Sequence, residues 1–366
     1  MRIAEADVWE MFSEVAQQSR NRYGGATLLE RTLIRLRDDE GHEGWGEAMP
    51  VSFADETHSA TAAALRKAAK DIKGRELEPP FGEIDSLARF SGLGAARSGL
   101  EMALLDLECQ RSGKPFADAL GGAMRSEISL DGPIGLIPPA EAARKVVSYL
   151  DEGLSTFKVK VGGDLDADAK RLLFLREAFG EKINLRMDAN GGYSAEEALK
   201  FCKKIQPAHV EHFEQPVLPT EKNCLEVFEE IREMGIPIAV DESLFSLEDA
   251  ERLLGEGAVD VGVIKIAKFG GALAAREVAR AFEAAGKTAI VSCSYESFIG
   301  KAAGMALALS LESAGRVQEV GHFAKEAEFA EWRHRIEGGT MRSGEGAGLG
   351  ARGLADKLSA LEEAKI

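Results

Sequence analysis

Two hydrophobic rhythms divide this chain. Between residues 127 and 320, short apolar runs alternate with amphipathic stretches of helical period. The runs are Ile128–Ile134, Thr156–Val161, Ile183–Asp188, His209–Glu214, Ile238–Asp241, Val259–Lys265, Thr288–Val291 and Arg316–Val320. Ends at 160, 188, 214, 241 and 265 recur every 24 to 28 residues. That repeat predicts β-α units with right-handed crossovers, and eight strands predict a parallel (β/α)8-type barrel. The first 125 or so residues read as α+β. Thr27 to Arg37 and Trp45 to Ala48 predict a hairpin around the polar turn from Asp38 to Gly44. Helical patterns follow over His58–Lys73 and Ala95–Arg111, the second with Leu100, Leu104 and Leu107 on one face and a stop at Ser112-Gly113-Lys114-Pro115. The glycine-rich tail Gly338–Gly353 is expected to return as a loop to the N-terminal part.

Active sites of such barrels lie at the C-terminal strand ends. Here three consecutive ends carry carboxylates: Asp188, Glu214 and Asp241. Lysines stand on the strands either side, Lys158 and Lys160 before them and Lys265 and Lys268 after. Strand period two puts Phe157, Val159 and Val161 outside and both Lys158 and Lys160 inside. Two buried ammonium groups repel, so at least one pKa is expected to fall, giving a general base near neutral pH. Three converging carboxylates repel too and call for a cation. An all-oxygen set without Cys or His favours a hard ion, Mg2+ first and Mn2+ second, with about half of its octahedron left for substrate or water. A single strand-end carboxylate is more often a helix cap; three in register, flanked by lysines, argue against that reading.

Composition narrows the alternatives. Against 61 Asp and Glu stand 45 Lys and Arg, a net charge of −16, which argues against nucleic-acid or anionic-membrane binding. No apolar run approaches a bilayer span and no signal-peptide core opens the chain. The four cysteines are scattered, which predicts free thiols and a cytoplasmic setting.

In these motifs the chain resembles the enolase superfamily, in its muconate-lactonising subgroup. The match runs through Lys158-x-Lys160, Asp188-x-Asn190, Glu214-Gln215-Pro216, Asp241-Glu242-Ser243 and Ile264-Lys265-x-x-Lys268-x-Gly270-Gly271, with Gly44 to Ala48 and Gly348-Leu349-Gly350 beyond the barrel. The resemblance implies an α/β fold: a modified TIM barrel, (β/α)7β, over residues 126–335, under an α+β capping domain of residues 1–125 joined by the tail 336–366. It implies Mg2+ on Asp188, Glu214 and Asp241, a small-molecule carboxylate substrate, and loss of its α-proton through an enediolate. Lys160 would be one base and Lys265 the opposing acid/base, with Lys158, Asn190, Glu242 and Lys268 in support. Two opposed lysines suit racemisation or epimerisation of a dipeptide or N-acyl amino acid. They also permit cycloisomerisation or dehydration of the muconate-lactonising or o-succinylbenzoate synthase type. A noncatalytic carboxylate-binding barrel is a rival that would have no need of acid and base positions. The mandelate-racemase arrangement is excluded, since Thr288 to Ser294 contains no His.

Substrate contacts are less legible. Dipeptide epimerases of this family often carry D-x-D on strand eight, where this chain reads Gln318-Glu319-Val320-Gly321-His322. Glu319 and Glu296 are candidate contacts, as are Tyr23, with Gly24 and Gly25, and Phe53, with Asp55, in two cap loops. His209 and His212 should face opposite ways and share no metal. Gly270-Gly271 opens a helix where an anion could sit, though a tight turn is the preferred reading. A homo-oligomer stays open.

Overall fold

The computed structural model describes residues 1–14, 28–79, 84, 90, 92–321, 329, 332, 334, 336–342, 344 and 346–363. It opens with an antiparallel sheet of β1 (Ile3–Glu14), β2 (Leu28–Asp38) and β3 (Glu43–Ala48), in that order. The predicted hairpin is β2–β3. Strand β1 has no counterpart in the sequence reading. It lies at the sheet edge with half of its residues half-buried, so neither face carries a clean apolar stripe.

Two helices cover this sheet, His58–Ile72 and Gly94–Ser112. Thr57 caps the first, and Gly113 ends the second in a left-handed conformation. The second helix lies directly on β3. A Cβ on Gly46 would stand 1.9 Å from the carbonyl of Gly99, so the hairpin glycines exist to admit a helix at that distance. Between them Trp45 is buried and stacks on Trp9 with centroids 5.4 Å apart.

The predicted run Ile128–Ile134 is two strands. Strand β4 (Glu127–Ser129) pairs antiparallel with Thr340–Arg342 of the tail, while β5 (Asp131–Ile134) begins the parallel sheet. That sheet continues through β6 (Thr156–Lys160), β7 (Asn184–Asp188), β8 (Phe213–Glu214), β9 (Ile238–Val240), β10 (Val261–Ile264) and β11 (Thr288–Val291), all in sequence order. Its two edges meet through residues 318 and 319. Leu130 bridges to Gln318 and Ser292 to Glu319, both parallel, so the sheet curls into a ring. The expected strand Arg316–Val320 is therefore reduced to two bridges. The expected run His209–Glu214 shrinks to Phe213–Glu214, because His209 takes a left-handed φ of 47° that ends any extended segment there. The other strands match within two residues of their predicted ends.

Helices alternate with these strands and shield the outer faces of Phe157, Val159 and Val161, all buried. The tail forms β12 (Ile336–Glu337) and β13 (Thr340–Arg342), then reaches the Gly94–Ser112 helix, where Leu349 N donates to Asp106 at 2.7 Å. Trp45 N donates to the same carboxylate at 2.7 Å. All four cysteines are buried and unbridged. Among the described residues no helix is long and apolar enough to cross a membrane.

Asp106 ties hairpin, helix and tail together and yields a stability prediction. Burial pushes its carboxyl up to about 7, against the pull of the Trp45 and Leu349 amides. The unfolded chain releases that proton near pH ~4. Between those pH values the folded state holds more protons, so Asp106 makes stability fall as pH rises. Asp106→Asn should flatten this fall by on the order of a few kcal/mol between pH 4 and 8. Urea unfolding at both pH values measures it; an unchanged difference between them contradicts the assignment.

Candidate active site

The C-terminal strand ends converge as the period-two argument requires. Lys160 on β6, Asp188 on β7 and Glu214 on β8 are direct neighbours in register. Asp241 follows β9 and Lys265 follows β10. Asp188, Glu214 and Asp241 are 1%, 0% and 0% exposed. Just past the first two carboxylates the chain adopts left-handed turns at Asn190 (φ 48°) and Gln215 (φ 38°), a cost accepted to aim the side chains that precede them. Gln215 then fastens two loops together. Its Oε1 accepts from Asp241 N at 3.2 Å and Ser243 N at 3.1 Å, and its Nε2 donates to Ser243 Oγ at 2.7 Å. Gln215 enters the sequence analysis only as part of the Glu214-Gln215-Pro216 motif, which is the one signal for this fastening role.

The charges interleave. Lys158 Nζ stands 2.7 Å from both Glu214 Oε2 and Glu319 Oε2 and 3.2 Å from Asp188 Oδ2. Burial opposes its charge, but the carboxylates of Glu214, Glu319 and Asp188 prevail and hold it well above the usual lysine range. Lys158 is therefore not a lysine of the pair whose pKa falls: the anions around it outweigh repulsion from the neighbouring lysine. Lys160 pairs with Asp188 and donates to Asn190 Oδ1 at 3.1 Å. Asn190 Nδ2 donates to Glu242 Oε1 at 3.1 Å.

On the other side, Lys265 donates to Asp241 Oδ2 at 2.5 Å, and Lys268 to Asp241 Oδ1 at 2.7 Å. Although burial penalises it, the Lys265 ammonium is held above its usual range by Asp241. Burial, helped by repulsion from Lys265, holds Lys268 below that range despite Asp241. Burial raises the carboxyl of Glu214 well above the usual value, and the like charge of Asp188 adds to it. Glu242 rises to about 7 through burial and its neighbours Asp241 and Asp188.

Of the candidate substrate contacts, Phe53 does reach this site. Its ring covers Lys265 Nζ at 5.2 Å and meets Phe245 edge-on at 5.7 Å. Glu319 lies inside the barrel, paired with Lys158 and 3.8 Å from Arg186. Glu296 lines a small cavity with Glu47, Ser98 and Cys293, behind Ile266 and Ala267, and burial beside Glu47 pushes it to about 7. Tyr23, with Gly24 and Gly25, lies outside the described residues. His209 is exposed and His212 buried, so they share no site.

The side chains fit a hard cation. Among the described residues Glu214 Oε1 is buried without a hydrogen-bond partner, and burial first, then the like charge of Asp188, drives its carboxyl toward protonation. No thiolate enters the Asp188, Glu214 and Asp241 set. A second grouping, His212, Glu214 and Glu319, has its ligand atoms all within 4.8 Å of one another, closer together than those of Asp188, Glu214 and Asp241. It fits less well, because Lys158 already bridges its two carboxylates and Arg186 adds a second cation. Of the two histidines expected to face opposite ways, His212 is the one inside. It shares the inner face with Glu214, two residues on, and burial together with Arg186 lowers it to about 3.

Comparison with known proteins agrees with this geometry. Residues 27–121 match the family model for the mandelate racemase / muconate lactonizing enzyme N-terminal domain, and residues 141–356 match the enolase C-terminal domain-like model. The chain is 31% identical to the L-Ala-D/L-Glu epimerase of Clostridium acetobutylicum, over 75% of this chain and 78% of that one. It is 29% identical to the N-succinylamino acid racemase of an Amycolatopsis species, over 95% of this chain and 94% of that one. Among solved structures, the dipeptide epimerase of Cytophaga hutchinsonii complexed with Mg and the dipeptide D-Ala-L-Val superposes with a TM-score of 0.85 at 28% identity, covering 96% of this chain and 95% of that one. With a curled parallel sheet under an antiparallel capping sheet and two matching domain models, the chain belongs to the mandelate racemase / muconate lactonizing enzyme family of the enolase superfamily.

Proposed function

We propose that this chain is a Mg2+-dependent racemase or epimerase that removes and returns the proton α to the carboxylate of an N-acyl amino acid or dipeptide, through an enediolate. One observation carries the reading. In the eight-membered ring of β5 to β11 plus residues 318–319, β6 and β10 lie four places apart, so Lys160 and Lys265 approach from opposite walls with the carboxylates between them. Racemisation at a single carbon needs acid and base on opposite faces of that carbon.

Asp188, Glu214 and Asp241 would hold the ion. A bound Mg2+ supplies charge neutralisation for the substrate carboxylate and competes with the lysine ammoniums for these ligands. Lys160 takes or gives the proton on one face and Lys265 on the other. This superfamily's use of a Lys base with Mg2+ is the general precedent. Lys158, fixed between Glu214 and Glu319, stays charged and adds positive potential. Asn190 sets Glu242 and Lys160 relative to Asp188. Phe53 and Phe245 wall off the Lys265 side from water. Glu319 is already committed to Lys158 and Arg186, which favours a substrate whose α-nitrogen is acylated over one presenting a free ammonium there. The N-succinylamino acid racemase acts by name on such a substrate, whereas the L-Ala-D/L-Glu epimerase acts by name on a dipeptide, which keeps a free ammonium at its N-terminus.

The test is a library of dipeptides and N-acyl amino acids incubated with Mg2+-loaded enzyme in D2O. The expected result is α-deuterium incorporation with inversion, read by NMR and chiral chromatography. Loss of water or ring closure would show a lyase or cycloisomerase on the same site. Binding without exchange across the library would contradict catalysis altogether.

A further inference from the structure

The turn that follows Lys265 is held from outside the barrel. It is tightly wound: Lys268 N donates to Lys265 O at 3.0 Å, Gly270 N to Ala267 O at 3.2 Å, and Gly271 N to Ile266 O at 3.1 Å. Little slack remains between Lys265 and Gly271, so a force on one end reaches the other. The far end abuts the Gly94–Ser112 helix of the N-terminal part. A Cβ on Gly94 would fall 2.9 Å from Ala267 O. Arg97 Nη1 donates to Gly270 O at 2.5 Å.

Glu101, one turn further along that helix, is 3% exposed. It accepts from Leu273 N at 3.2 Å at the start of the Ala272–Ala284 helix, and pairs with Arg97 at 3.4 Å. A Cβ on Gly271, where φ is 153°, would lie 2.2 Å from Glu101 Oε2. The anion that the Gly270-Gly271 helix start could host is therefore the protein's own carboxylate, reaching across from the cap. The glycine at 271 leaves room for it. Among the described residues Lys160 has no such tether: its side-chain contacts, Asp188 and Asn190, belong to the barrel itself.

We propose that Glu101, with Arg97, is a positioning residue that fixes the reach of Lys265 into the site, so that proton transfer on one face of the substrate carbon depends on the cap while transfer on the other face does not. The inference rests on the two-lysine reading of the site. Its physical basis is that a reacting group displaced by about 1 Å can lose up to about a hundredfold in rate.

A first experiment needs no substrate. Mg2+-loaded wild type, Glu101→Ala, Glu101→Gln and Arg97→Met are treated briefly with acetic anhydride, and acetylation of Lys160 and Lys265 is counted by peptide mass spectrometry. The expected result is a Lys265:Lys160 ratio changed about tenfold in Glu101→Ala. Glu101→Gln keeps an acceptor for Leu273 N and should return most of the way. Arg97→Met should shift the ratio in the same direction by less, which keeps the test alive if Glu101→Ala does not fold. A ratio unchanged in Glu101→Ala and Arg97→Met, or both lysines changing in parallel, overturns the proposal. A second experiment uses the substrate pair with the fastest exchange in the library screen. Exchange from the enantiomer served by Lys265 should fall about tenfold or more in Glu101→Ala, with the other enantiomer little changed. Equal slowing of both enantiomers overturns the proposal. A library without any exchange defeats the proposed function instead, and the acetylation ratio still decides the role of Glu101.

Discussion

Lys265→Ala should lose racemisation by about 10^2- to 10^4-fold while still binding Mg2+, and Lys160→Ala should do the same. Neither lysine ligates the ion in the proposed arrangement, and each competes with it for a carboxylate, so calorimetric Mg2+ affinity is expected to be kept or tightened rather than lost. Arginine is no remedy at either position: a guanidinium keeps the charge but cannot release its proton near neutral pH. Lys160→Arg and Lys265→Arg are therefore expected to be as slow as the alanine variants. The assay is loss of optical rotation from a single enantiomer. Racemisation within tenfold of wild type in either alanine variant would remove that lysine from the chemistry.

The second large effect concerns Glu214 and has two signs. Glu214→Gln should cut activity by about 10^2- to 10^3-fold, because a preorganised charge at the reacting centre is lost. The same change should stabilise the metal-free protein at high pH. Burial and the neighbouring Asp188 raise the Glu214 carboxyl well above its usual value. A carboxyl raised on folding contributes stability at low pH that is lost as pH rises through its folded-state value. Glutamine is neutral at every pH and escapes that loss. In the chelator-treated protein, then, Glu214→Gln should unfold at a higher temperature than wild type at pH 8, with the gap closing at pH 5. Mg2+ should stabilise wild type and leave the variant nearly unchanged. A metal-free variant less stable than wild type at pH 8 would show that Lys158 needs Glu214 more than Glu214 suffers from Asp188.

Much of this was legible in the sequence because strand geometry is strict. Alternation along Thr156–Lys160 sends Phe157 and Val159 outward and leaves both lysines nowhere to go but in. The repeat spacing carried the order of the parallel strands for the same reason. What escaped was long-range or nearly patternless. Strand β1 is an edge strand without an apolar face, and residues 318–319 close the ring with two bridges. Glu47 accepts from Ser297 N at 2.8 Å and Gly300 N at 2.9 Å across 250 and 253 residues, and no local rule reveals such a cap. Which lysine of the Lys158 and Lys160 pair carries a lowered pKa was not legible, because the sequence does not show which anions each one meets. For Lys158 they include Glu214 and Glu319, 56 and 161 residues away, and they raise its pKa.

The most direct test of the account is α-proton exchange in D2O, followed separately from each enantiomer of the best substrate, in the two single-lysine variants. Opposed lysines predict mirror-image results: Lys160→Ala exchanges one enantiomer and not the other, and Lys265→Ala does the reverse. Loss of the same enantiomer's exchange in both variants would place the two amines on one face and contradict the arrangement on which everything else rests.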